Sequence, residues 1–177
     1  MRRVVFIIGG ARSGKSAYAE QLATKNFHAL SHPDASLYYL ATAQAFDKEM
    51  KARIDLHRLR RNVDWQTIDA PVDLPEKLSA CSHDKAVILV DCLSIWATNL
   101  LLANTDIAQA RDKFIAAVKS SPAKIFVVSS ETGLGIVPET SLTRKFRDAN
   151  GTNNQAIAEL ADEVYFMVAA IAQKIKP

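Results

Sequence analysis

Cysteine is nearly missing from this chain: Cys81 and Cys92 are its only two in 177 residues. Two thiols cannot staple a disulfide framework, and their spacing matches no zinc-ligand pattern, so both are expected as buried free thiols. Charge of one sign is missing too. Lysine and arginine total 22 against 19 acidic residues, a formal net charge of +3, and the basic residues form no tail. That balance gives nucleic-acid binding little support. No apolar run reaches the length of a bilayer span. The start Met1-Arg2-Arg3 with the apolar residues after it is too short for a signal peptide and runs into a glycine-rich loop. A cytoplasmic protein without stable membrane insertion is expected. Glycine is scarce as well, six in all, yet Gly9, Gly10 and Gly14 fall close together.

Those glycines belong to Gly9-Gly10-Ala11-Arg12-Ser13-Gly14-Lys15-Ser16, directly after Val4-Val5-Phe6-Ile7-Ile8. This is G-x-x-x-x-G-K-[ST] in its required context, a strand followed by a glycine-rich turn. Glycine lets the backbone curl until successive N–H groups face phosphate oxygens. The helix that follows adds the positive end of its dipole. Lys15 is expected to reach the β and γ phosphates, and Ser16 to hold Mg²⁺ through its hydroxyl. The loop specifies a nucleotide but neither base nor acceptor.

Short apolar segments recur at Val4–Ile8, Leu37–Leu40, Val87–Val90, Ile125–Val128 and Val164–Val168. The first four read as buried strands of a mostly parallel sheet. Helical stretches are expected over Ser16–Ala23, Gln44–Arg61, Ile107–Lys119 and Asn154–Leu160. Pro71 and Pro75 are expected to break any helix between Trp65 and Leu78, and Asn26–Ser36 reads as a surface excursion. The alternation predicts an α/β fold with three layers around a mostly parallel sheet, a P-loop nucleotide-binding fold. The length suits a single domain over residues 1–177.

The run Val87-Ile88-Leu89-Val90 ends in Asp91. Strand C-termini of a parallel sheet face the ligand crevice, so Asp91 is a second candidate for Mg²⁺. Glu131 ends the next apolar strand; it suits either an acceptor hydroxyl or a cap or salt bridge. Switch GTPases fit poorly. Cys92-Leu93-Ser94 follows Asp91 in place of Asp-x-x-Gly, and no Asn-Lys-x-Asp occurs.

Residues Asp47–Arg58 read as strongly helical, with Asp47/Lys51 and Glu49/Arg53 as favourable i,i+4 pairs. Met50, Ile54 and His57 share a side, with Arg53 and Arg61 near it. An imidazole among arginines suits nucleophilic attack on a phosphoryl group. A structural or solvent-exposed histidine fits the same pattern.

Taken together, these segments resemble the bifunctional adenosylcobinamide kinase/adenosylcobinamide-phosphate guanylyltransferase family almost end to end. The resemblance rests on the Gly9–Ser16 loop, Tyr39-Leu40-Ala41-Thr42-Ala43, and Asp47–Met50. Arg53-Ile54 with His57-Arg58 and Trp65, and Asp91-Cys92-Leu93-Ser94 with Trp96 and Asn99, extend it. Gly133-Leu134-Gly135-Ile136-Val137-Pro138, Phe146-Arg147-Asp148 and Ala161–Val164 complete it. The resemblance implies phosphorylation of adenosylcobinamide by ATP or GTP, then transfer of GMP from GTP through a guanylylated histidine. His57 matches that histidine. Nucleotide contacts would fall on Ala41, Thr42, Ala43, Arg58, Leu59, Arg60, Arg61, Asp69 and Asp91, beside the phosphate loop. The family also implies a homotrimer. Asp69 stands where glutamate is usual, and Ala170 where glycine is frequent. A small-molecule kinase alone explains Lys15 and Asp91 but leaves the histidine segment idle. A nucleotide-dependent regulator lacks the switch features.

Overall fold

The computed structural model describes residues 3–44 and 63–177. Seven strands form one sheet in the order β3-β2-β4-β5-β1-β6-β7. They are β1 (Arg3–Gly9), β2 (Ser36–Ala41), β3 (Trp65–Asp69), β4 (Ala86–Asp91), β5 (Lys124–Ser130), β6 (Glu163–Val168) and β7 (Ile171–Lys176). All neighbours pair in parallel except β6 with β7. The described helices are α1 (Lys15–His28), α2 (Leu74–Ala80), α3 (Leu93–Leu102), α4 (Ile107–Ser120) and α5 (Ser141–Leu160). They flank the sheet in the three-layer α/β arrangement that the alternation predicts.

The period of two in the central strands builds two cores. Val4, Phe6, Ile8, Ile88, Val90, Ile125 and Val127 point to one side, where residues of α2, α3, α4 and α5 meet them. Val5, Ile7, Val87, Leu89, Phe126 and Val128 point to the other, against Ala19 and Ala23 of α1. Strands buried on both faces read as continuous apolar runs, which is why β1, β4 and β5 are plain in the sequence. Each such side chain contributes about 1.5–3 kcal/mol by leaving water.

The elements that differ from expectation lack that signature. β3 is an edge strand with Gln66, Thr67 and Asp69 exposed. β7 is a mostly exposed antiparallel edge, Ile-Ala-Gln-Lys-Ile-Lys. α3 buries Leu93, Trp96, Ala97 and Leu100 among six of its ten residues, so it shows no polar face and no 3.6-residue stripe. α2 forms despite Pro75, a correction to the breaker reading. That proline lies in the first turn, where the missing N–H has no intrahelical partner to lose. α1 runs to His28, so the expected excursion starts after the helix. α5 begins at Ser141 rather than Asn154, with the Thr140 hydroxyl capping the Thr143 N–H at 3.2 Å. The expected helix over Gln44–Arg61 lies, beyond Gln44, outside the described residues. Among the described residues, no helix is long and apolar enough to cross a membrane.

Candidate active site

The phosphate loop joins β1 to α1. Gly14 caps the helix at φ 91°, a left-handed conformation that favours glycine, and Arg12 is also left-handed at φ 55°. Space as well as torsion demands glycine here. A Cβ on Gly9 would stand 2.4 Å from the Met167 carbonyl oxygen, and one on Gly14 would stand 3.1 Å from the Ala170 Cα. The β6–β7 turn therefore presses against the loop. The Ala170 N–H donates to the Ser13 carbonyl at 2.9 Å, and the Glu131 N–H donates to the Gly9 carbonyl at 2.9 Å.

Lys15 is 9% exposed, and its Nζ donates to the Gly10 carbonyl at 2.6 Å. Burial lowers its pKa from the ordinary lysine value, while nearby Cys92 and Asp91 pull it upward. The Ser13 hydroxyl is buried without a hydrogen-bond partner in the loop. An orphaned donor beside a desolvated ammonium is what an anion cradle presents before its anion arrives. Ser16 lies in the first turn of α1, directly after Lys15.

Asp91 ends β4, beside β2, with Ala41 as its register partner; Ala41 in turn pairs with Asp69 of β3. The sheet thus lines up Asp69, Ala41 and Asp91 at one level, the two carboxylate-bearing residues about 10 Å apart across the sheet. Alternation along β4 places Asp91 on the Val87 and Leu89 face, which is the α1 face. The Tyr39 phenol donates to Asp91 Oδ2 at 2.9 Å. Among the described residues, no three His, Cys, Asp or Glu side chains cluster as a metal site. A Mg²⁺ bound chiefly by phosphates and water needs only one or two protein ligands, and Ser16 and Asp91 fit that donor set.

Thr42 is wholly buried, and its hydroxyl is committed to Cys92. It accepts from the Cys92 N–H at 2.8 Å and donates to the Cys92 carbonyl at 2.9 Å. The Thr42 carbonyl accepts from Asn99 Nδ2 at 2.8 Å. Thr42 therefore ties the end of β2 to the residue after Asp91. Burial pushes the Cys92 thiol up to about 12, with the Asp91 charge adding to the effect. Ala43 continues from Thr42 outside regular structure.

A further polar network supports the end of β5. The Ser130 N–H donates to Ser94 Oγ at 2.7 Å, and the Ser130 carbonyl accepts from Asn150 at 2.8 Å and from Asn154 at 3.2 Å. Glu131 accepts from the Gly133 N–H, so its carboxylate shapes the turn after β5. Tyr39, Ser94, Asn99 and Asn150 were missed as site supports by reasoning from sequence. Their partners lie on other elements: strand register sets Tyr39 beside Asp91, while Ser94 and Asn99 reach theirs from α3 and Asn150 from α5.

The structure thus brings Gly9 through Ser16 together at the carboxyl edge of the sheet that Ala41, Asp69 and Asp91 also reach. His57, Arg58, Leu59, Arg60 and Arg61 lie outside the described residues.

Residues 5–175 match the family described as cobinamide kinase / cobinamide phosphate guanyltransferase. The chain belongs to that family. The bifunctional adenosylcobalamin biosynthesis protein CobP of Pseudomonas aeruginosa is 42% identical over 172 residues, covering 96% of this chain and 95% of that protein. CobU of Escherichia coli, which carries the same description, is 37% identical over 188 residues, covering 98% of this chain and 99% of that one. Among solved structures, the flagellar accessory protein FlaH of Methanocaldococcus jannaschii aligns with 98% of this chain and 78% of its own. Its TM-score is 0.49 at 16% identity. Membership of the cobinamide kinase family accounts for the phosphate cradle and makes this chain a nucleotide-using transferase of cobalamin biosynthesis.

Proposed function

We propose that this edge of the sheet performs both transfers of the family at one phosphate cradle, with His57 as the covalent nucleophile. The chain phosphorylates adenosylcobinamide with ATP or GTP, then passes GMP from GTP to adenosylcobinamide phosphate through a guanylylated histidine. The observation that carries the reading is the cradle itself. Gly14 in its left-handed cap, the buried Lys15 and the unpartnered Ser13 hydroxyl belong to one loop, and Asp91 lies close enough to act on the Lys15 charge.

In the kinase step the substrate hydroxyl oxygen bonds to the γ phosphorus. The bond from that phosphorus to the β–γ bridging oxygen breaks, the nucleoside diphosphate leaves, and the hydroxyl proton goes to solvent or a nearby base. Lys15 leaves the Gly10 carbonyl and meets the β and γ phosphates, where it offsets the charge on the leaving oxygen. Ser16 and Asp91 are the residues that would hold Mg²⁺, which would supply positive charge against the phosphates when bound.

In the guanylyl step a neutral imidazole nitrogen of His57 bonds to the α phosphorus of GTP, and pyrophosphate leaves. An oxygen of the cobinamide phosphate then attacks the same phosphorus. The P–N bond breaks and adenosylcobinamide-GDP is released. Splitting the transfer this way gives ping-pong kinetics for this half-reaction. Arg58 or Arg61 is the cation assigned to the α phosphate, and Leu59, Arg60, Asp69 and the Ala41–Ala43 segment border the nucleotide. Residues 1–177 act as one domain, assembled as a homotrimer in the cytoplasm.

The roles separate by mutation. His57→Ala is expected to abolish guanylyl transfer while keeping measurable kinase turnover, because Lys15, Ser16 and Asp91 remain. Lys15→Ala is expected to cripple the kinase step. Full guanylyl transfer by His57→Ala would refute the covalent role.

A further inference from the structure

The Asp91 carboxylate has a partner that none of the chemistry above uses. Tyr39 and Ala41 lie two apart on β2, on the face that Asp91 and Leu89 share on β4. Tyr39 is opposite Leu89 and Ala41 is opposite Asp91, so Tyr39 and Asp91 are diagonal neighbours, within reach of a long aromatic side chain. The phenol uses that reach, donating to Oδ2 at 2.9 Å. The ring cannot easily swing away. It is 5% exposed, packed in the core beneath α1, and it meets the Trp65 ring edge-on at a centroid distance of 5.9 Å and 80°.

A carboxylate at a strand end turns about two side-chain bonds. A donor fixed in the core removes much of that freedom, and it claims Oδ2 without claiming Oδ1. Partners of this outer kind hold metal-side ligands in place before the ligand arrives. From this geometry we propose that Tyr39 is a positioning residue, orienting the Asp91 carboxylate toward the metal–nucleotide complex in the cradle. The proposal rests on the reading of Asp91 as a metal-side carboxylate. Its effect falls on the metal-bound nucleotide and spares nucleotide bound without metal.

Tyr39→Phe is the direct test, because it keeps the ring and the Trp65 contact and removes the hydroxyl that donates to Asp91. Asp91→Asn and the double variant accompany it. Enzyme-bound Mn²⁺ is measured by electron paramagnetic resonance with a non-hydrolysable ATP analogue, beside the affinity for the analogue in EDTA. The half-saturating Mg²⁺ for phosphoryl transfer is measured in parallel. Tyr39→Phe is expected to weaken Mn²⁺ binding and raise half-saturating Mg²⁺ by about tenfold, the lower end of such losses. Binding in EDTA should stay within about twofold, and saturating Mg²⁺ should restore most of the rate. The double variant should match Asp91→Asn alone. Unchanged metal binding in Tyr39→Phe beside a defective Asp91→Asn overturns the role of Tyr39. Unchanged metal binding in both variants removes the reading of Asp91 and the proposal with it. Equal losses with and without metal show a packing role for the ring and also overturn the proposal.

Discussion

The two-residue turn between β6 and β7 makes the sharpest stability prediction. Val168 pairs with Ile171, so Ala169 and Ala170 are the whole connection. The type I′ form of so tight a hairpin has positive φ at both positions, and they adopt 49° and 64°. Asn-Gly or Gly-Gly is the usual solution; two alanines are not. Each left-handed alanine costs roughly 1–2 kcal/mol. Glycine removes that cost and adds back roughly 0.5–1 kcal/mol of chain entropy. Both side chains are exposed, so little packing is lost. The double variant Ala169→Gly/Ala170→Gly should therefore gain about 1–2 kcal/mol. For a chain of this size that is a rise in Tm of roughly 3–6 °C. Calorimetry and urea unfolding measure it, and the urea midpoint should rise with an unchanged slope. The Ala170 N–H bond to Ser13 is a backbone bond and survives the change, so nucleotide affinity should hold. A lower Tm for both single variants would refute the reasoning. It would show that the two methyl groups contribute more than their backbone conformation costs.

Asn153 on α5 is 2% exposed, and neither polar atom of its side chain has a hydrogen-bond partner. Asn153→Leu should stabilise the fold by about 1–2 kcal/mol by removing an unpaired buried amide; a drop in the urea midpoint would mean that the amide is satisfied. Burial raises both thiols from 9.0, Cys81 to about 11 and Cys92 to about 12. A folded-state pKa raised in this way gives stability that is complete below pH 9 and is lost as pH climbs from there through about 11 to 12. Unfolding free energy should accordingly fall above pH 9, more shallowly in Cys92→Ala. An identical alkaline slope in that variant would contradict the assignment. Neither thiol should react with a disulfide reagent at pH 8 until urea unfolds the chain.

The parts of this fold that are legible in the sequence are those where one physical demand acts on adjacent residues. The run Val4–Ile8 and the loop Gly9–Ser16 specify a buried strand and an anion cradle without help from elsewhere. β4 ending in Asp91 is legible for the same reason. Edge strands are not, because β3 and β7 place polar residues in water and need only one neighbour to pair with. α3 hides because burial on all sides erases its periodicity. α2 hides because a proline marks both a helix start and a helix break. The supports of the site are the least legible. Nothing in the sequence near Tyr39 announces a bond to Asp91, 52 positions away, and the Thr42 hydroxyl is consumed by Cys92, 50 positions away. Those pairings follow from strand register, which the local pattern does not specify.

The central claim is that GMP passes through a covalent bond to His57. The most direct test is the intact mass of the protein after incubation with GTP and Mg²⁺, beside His57→Ala treated in the same way and both kept at neutral to alkaline pH to preserve a phosphoramidate. The account predicts a gain of one GMP on the natural chain and none on the variant. An equal gain on both, or none on a natural chain that is turning over adenosylcobinamide phosphate, would contradict it.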